Sequence, residues 1–133
     1  MIFWTVRHRI LLHASAVKAW SNTDPTINVA AGATVTGGAG AAAIELDGPV
    51  NVVNDDGTLL STDGAGGTTV LADSGDTTIN NGGVLNGDVQ LTANGSNLLH
   101  NLAGGTIGAG PTIDLGGTCL RSRAWPPRTL DEP

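Results

Sequence analysis

Thr77 to Gly117, TTINNGGVLNGDVQLTANGSNLLHNLAGGTIGAGPTIDLGG, is a succession of short β-prone runs. TTIN, GVLNGDVQL, NLLHN, GTIG and TIDL are each bounded by Gly, Asn or Asp, and none is long enough for an ordinary helix. Where alternation is legible, as in Val89-Gln90-Leu91 and Ile113-Asp114-Leu115, one face is apolar and the other polar. This is the pattern of a chain that turns often and pairs briefly.

Working outward, the same texture reaches back to about Thr23, and laying the chain over itself with a shift of 26 residues exposes a repeat. Ile27-Asn28 falls on Val53-Asn54 and then on Ile79-Asn80, Gly38-Ala39-Gly40 on Gly64-Ala65-Gly66, Ile44 on Val70 and Asp47 on Asp73. Six of the 22 positions from Ile27 to Gly48 are identical to those from Val53 to Ser74, above what the biased composition gives by chance. The next copy keeps Asn80, Gly83 and Leu85, then shortens. A shift of 22 carries Gly83 and Leu85 onto Gly105 and Ile107, and two extra residues carry Val89 to Leu91 onto Ile113 to Leu115.

Periods of 20 to 30 residues with this content predict a stacked solenoid, in which neighbouring repeats bury each other's apolar face. The fold expected is all-β, a right-handed parallel β-helix of about four to five coils over residues 23–118, a rod of roughly 20 Å at the usual strand spacing. Residues 1–22 are expected to be an unrelated basic leader, helical or disordered, and residues 119–133 a disordered tail. Asn28, Asn54 and Asn80 recur at one place in the repeat, so their amides are expected to stack as a ladder along the axis. Gly57, Gly83 and Gly105 recur at another, as turn glycines that supply positive φ.

Composition narrows the function. All six basic residues lie in the flanks, whereas Ser21 to Leu120 holds ten acids, no Lys or Arg and no aromatic residue. A formal charge of −10 over that region argues against binding to a phosphate backbone. Cys119 is the single cysteine, which excludes an internal disulfide and a thiolate metal cluster. In Met1 to Trp20 the basic residues follow Phe3 and Trp4 and the apolar run is short, so the segment makes a poor export signal, although Ala14-Ser15-Ala16 mimics a cleavage site. No run reaches the roughly 18 apolar residues of a membrane-spanning helix.

Ile79 to Gly117 resembles the repetitive passenger region of bacterial autotransporters, whose units read Asn-x-Gly-x-Leu-x-Gly-x-Val-x-Leu, then an Asn-rich strand, Gly-Gly-Thr-Ile and Ile-Asp-Leu-Gly. Here these are Asn81 to Leu91, Asn97 to Asn101, Gly104 to Ile107 and Ile113 to Gly116. The resemblance implies a right-handed β-helical stalk exposed at the cell surface or secreted, adhesive and non-catalytic, with surface molecules of a host or neighbouring cell as partners. It implies no cofactor, and its missing barrel would lie outside this chain, which has no alternating ten-residue strands with aromatic girdles. End-to-end self-association through open sheet edges is a further expectation.

Three other readings are compatible with parts of the sequence. A truncated or frame-shifted gene fragment with no independent function is one, suggested by the abrupt change of texture at both flanks. Calcium binding is the second: Gly37 to Ile44 has the glycines of a calcium-binding nonapeptide but Ala42 where the aspartate belongs, and Asp55, Asp56 and Asp63 are oxygen ligands of the right type. A carbohydrate-active β-helix is the third. It finds many carboxylates but, from Ser21 to Leu120, neither cations to stabilise developing charge nor aromatic platforms. His100 is expected on an outer turn or strand. No catalytic, cofactor-binding or metal-binding residue is assigned.

Overall fold

A computed structural model describes residues 2–10, 15–20, 24–92, 94–108, 112–116 and 118–119. The elements are β1 (Ile2–Ile10), β2 (Val17–Trp20), β3 (Pro25–Gly37), β4 (Ile44–Asp55), β5 (Thr58–Ser61), a 3-10 turn (Gly64–Gly66), β6 (Thr68–Asn81), β7 (Val84–Asn86), β8 (Asp88–Leu91), β9 (Ser96–Asn101), β10 (Thr106–Ile107), β11 (Ile113–Asp114) and β12 (Thr118–Cys119). Every pairing between them is parallel. The chain is a parallel β-solenoid of about three turns.

Each coil has three faces. On the first, Ile27 pairs with Val53, Val53 with Ile79 and Ile79 with Leu99. On the second, Val35 pairs with Leu59, Leu59 with Leu85 and Leu85 with Ile107. On the third, Ile44 pairs with Val70, Val70 with Val89 and Val89 with Ile113. The long strands β3, β4 and β6 each bend from one face to the next. That bending gives strands longer than the three to five residues expected for each run.

The expected fold class holds, and the coil count is slightly lower than the four to five expected. Three one-turn steps separate Ile27 from Leu99 on the first face. The leader is a second difference. Instead of being helical or disordered, β1 pairs along β3 and β2 pairs with β4, so a further layer lies beneath the repeats. The physical reason is an open edge: β3 and β4 offer unpaired backbone groups, and the Ile2 to Val6 stretch IFWTV has the β-branched and aromatic content of a strand. Lys18 Nζ meets Glu45 at 2.7 Å, so the leader's charge also complements the repeat. The expected disordered tail lies, beyond Cys119, outside the described residues.

The core is a set of aligned columns. Ile27, Val53 and Ile79 on the first face, Val35, Leu59 and Leu85 on the second, and Ile44, Val70 and Val89 on the third are all fully buried. Each such side chain contributes about 1.5 to 3 kcal/mol by leaving water. Leu46, Ala72 and Leu91 fill a further row of the third face, where a small residue between two leucines keeps the thin interior filled.

Between the first two coils the 26-residue period is restored after local drift, whereas the next coil is shorter, Val70 pairing with Val89 at an offset of 19 and Ile79 with Leu99 at 20. Thr34 pairs with Thr58, an offset of 24, because Ala30 to Ala33 make a wide corner where the next coil has only Asp56-Gly57. Six residues lie between Gly37 and Ile44 and eight, including the 3-10 turn, between their partners Ser61 and Val70, so Ile44 pairs with Val70 at 26 again.

Because Ile79 lies in the middle of its column, Ile79→Ala is expected to lower stability by about 2 to 5 kcal/mol. Ile113→Ala, at a half-buried position, should cost distinctly less. Urea melts followed by far-UV circular dichroism give both values, and equal costs would contradict a core centred on the middle coils.

Candidate functional site

The repeated asparagines form a ladder on the outer side of the first face. Asn54 Nδ2 donates to Asn28 Oδ1 at 2.8 Å, and Asn80 Nδ2 donates to Asn54 Oδ1 at 2.9 Å. His100 stands on β9 in register with Asn80, exposed, with Nδ1 at 3.1 Å from Asn80 Oδ1. An amide oxygen only accepts, so that nitrogen carries the proton. Asn28 Nδ2 has no partner among the described residues. The ladder joins successive coils side chain to side chain, in addition to the backbone bonds between strands.

Gly57, Gly83 and Gly105 stack at the corner between the first and second faces, and none has positive φ. The expected reason for these glycines is therefore corrected: they are required by close approach. A Cβ on Gly57 would stand 2.5 Å from the Ala33 carbonyl oxygen, one on Gly83 would strike the Gly57 carbonyl oxygen and one on Gly105 the Asn81 carbonyl oxygen. Positive φ occurs elsewhere, for example at Gly32 and Gly64, each with open space around the missing Cβ.

Two buried polar columns line the ends of the first face and were not singled out from sequence. At its start, Asn51 Oδ1 accepts from Gly48 N at 3.0 Å while Nδ2 donates to the Ser74 carbonyl at 3.0 Å and to Thr77 Oγ1 at 3.3 Å. Asn97 Oδ1 then accepts from Thr77 N at 3.0 Å, and its Nδ2 reaches the carbonyls of Thr92 and Leu115 at 2.8 and 2.9 Å. These amides satisfy backbone groups where the chain turns a corner and cannot pair strand to strand.

At the far end the column is Val29, Asp55, Asn81 and Asn101. Asp55 is fully buried and accepts from Gly57 N at 3.0 Å through Oδ1. Burial pushes its carboxyl up from 3.8 to about 6; the Gly57 bond opposes this and the neighbouring Asp56 charge adds to it. Asn81 Nδ2 donates to Asn101 Oδ1 at 2.7 Å and to the Thr106 carbonyl at 3.0 Å. Alternation legible as Val53 in, Asn54 out, Asp55 in was the signal for this column.

The calcium candidates do not converge. Ala42 is buried, and Asp63 Oδ2 accepts from Gly40 N at 2.6 Å, so this carboxylate pins the loop of the coil below. Among the described residues no three His, Cys, Asp or Glu side chains are grouped to hold a metal ion.

The third face carries a groove of about 480 Å³ bordered by Asp73, Asp88, Gln90, Thr92, Thr112 and Asp114. Asp88 Oδ1 already accepts from Thr112 N at 2.6 Å. The groove is rich in acceptors, a chemistry that suits hydroxyl or amide donors. No protein-family model matches the chain, and neither a curated protein nor a solved structure matches it.

Gly83→Ala is expected to lower stability by about 1 to 3 kcal/mol through overpacking, while Gly66→Ala, with nothing near its missing Cβ, stays within about 0.5 kcal/mol. Thermal melts of the two variants side by side decide this. Asn54→Ala interrupts the ladder in both directions and should cost about 1 to 3 kcal/mol; an unchanged midpoint would mean that the ladder contributes nothing.

Proposed function

We propose that this chain is a structural, adhesive segment of a β-helical stalk of the autotransporter-passenger kind, working at the cell surface or after secretion and without catalysis. The observation that carries the reading is the uninterrupted parallel stacking of one coil on the next, with side-chain ladders continuing along the axis. Such a body extends by adding coils, and it presents chemistry in rows instead of in a single cleft. Its partners are surface molecules of a host or neighbouring cell, and the acceptor-rich groove bordered by Asp88, Gln90 and Asp114 offers a concave surface for that contact. Repulsion between like charges disfavours nucleic acid there. The resemblance of Asn81 to Leu91 and Gly104 to Ile107 to passenger repeats supports the location.

The test is to place the full chain between an export signal and an outer-membrane barrel in a Gram-negative host. The expected outcome is that it appears at the cell surface, as read by antibody labelling of intact cells, and resists added protease. A barrel that assembles while the attached chain stays inside or is degraded would count against the stalk reading.

A further inference from the structure

Asp55 Oδ2 and Asn81 Oδ1 are both buried, and neither has a hydrogen-bond partner among the described residues. They belong to residues in register on adjacent strands, β4 and β6. In-register side chains of this same face bond to one another at 2.7 to 2.9 Å in three other places, Asn28 with Asn54, Asn54 with Asn80 and Asn81 with Asn101. The Asn81 amide cannot reverse to offer its nitrogen to Asp55, because both of its N–H groups are engaged, with Asn101 Oδ1 and the Thr106 carbonyl. Asp55 Oδ1 is likewise engaged by Gly57 N. Two acceptors thus occupy consecutive layers of one column with no donor between them, an arrangement that is costly in a buried site.

The geometry points to a shared proton: Asp55 is a neutral carboxylic acid in the folded solenoid, and its Oδ2–H donates to Asn81 Oδ1, continuing the Asp55, Asn81, Asn101 column as an unbroken chain of bonds. A single proton satisfies both oxygens. A calcium ion would need six to eight oxygen ligands, and this column offers two unengaged ones. The groups facing Asp55 leave the proton in place: β3 presents Val29 and β6 presents Asn81, both uncharged, and the charge acting on it is that of Asp56, which disfavours a second anion.

The consequence is a pH-dependent stability. The elevated carboxyl of the folded chain, about 6 against 3.8, agrees with the geometry. The folded chain holds this proton more tightly than the unfolded chain, so the Asp55 contribution is greatest below about 4 and is lost as pH rises to about 6. Above that the corner holds a carboxylate against an amide oxygen, and the coil is loosened there.

The experiment is a set of urea melts of the full chain from pH 4.5 to 8 for the parent, Asp55→Asn and the exposed control Asp73→Asn. Asp55→Asn supplies a permanent N–H donor in nearly the same shape. It is expected to be more stable than the parent at pH 7.5 and to lack the fall between pH 4.5 and 6, which in the parent and in Asp73→Asn approaches tenfold in the folded-to-unfolded ratio per pH unit. Equal pH dependence in the parent and Asp55→Asn, or lower stability of that variant at pH 7.5, would overturn the proposal. So would a rise in the parent's midpoint on adding calcium at pH 7.5 that Asp55→Asn does not show, since an ion would then join the two oxygens. Should Asp55→Asn fail to fold, the carboxyl carbon resonance of Asp55 in the parent decides: a midpoint near 6 supports the shared proton, and one in the ordinary carboxylate range overturns it.

Discussion

The parallel register between successive coils is the constraint on which the rest of this structure depends. Strands stack about 4.8 Å apart, so whatever stands at one position of a coil is held against the residue at the same position of the next. Apolar residues then form columns, as Ile27, Val53 and Ile79 do, and polar ones form ladders, as Asn28, Asn54 and Asn80 do. A single inward charge would be costly in such a column. Asp55 is the case that meets this limit, and its neighbours Gly57 and Asn81 define how it is accommodated.

Corners obey the same constraint with different chemistry. Where the chain changes face, backbone groups cannot all pair strand to strand, and the side chains of Asn51, Asn97 and Asn81 take their place. Where one corner passes closely over another, no side chain fits, which explains the stacked glycines 57, 83 and 105. Chain length varies on the outside, with six residues between Gly37 and Ile44 and eight between their partners Ser61 and Val70, because the exposed loops are where an insertion disturbs no column. A body whose surface is a set of repeated rows extends by adding coils, and the negative charge of Ser21 to Leu120 repels polyanions.

Sequence by itself determined the fold class, the 26-residue offset, the later shifts of 22 and 24, and the identity of the Asn row, because a repeat writes its register directly into residue spacing. The offsets of Val53 from Ile79 and of Val89 from Ile113 are those of the observed strand pairs. Three matters were decided only by tertiary structure. The leader joins the sheet because an edge strand recruits backbone, whatever the repeat pattern of the recruit. The glycine column is set by the distance between corners, which no spacing encodes. The polar column of Asp55 and Asn81 depends on which side of the strand faces in and on whether donors are already engaged, a question of three-dimensional hydrogen-bond partners that residue order leaves open.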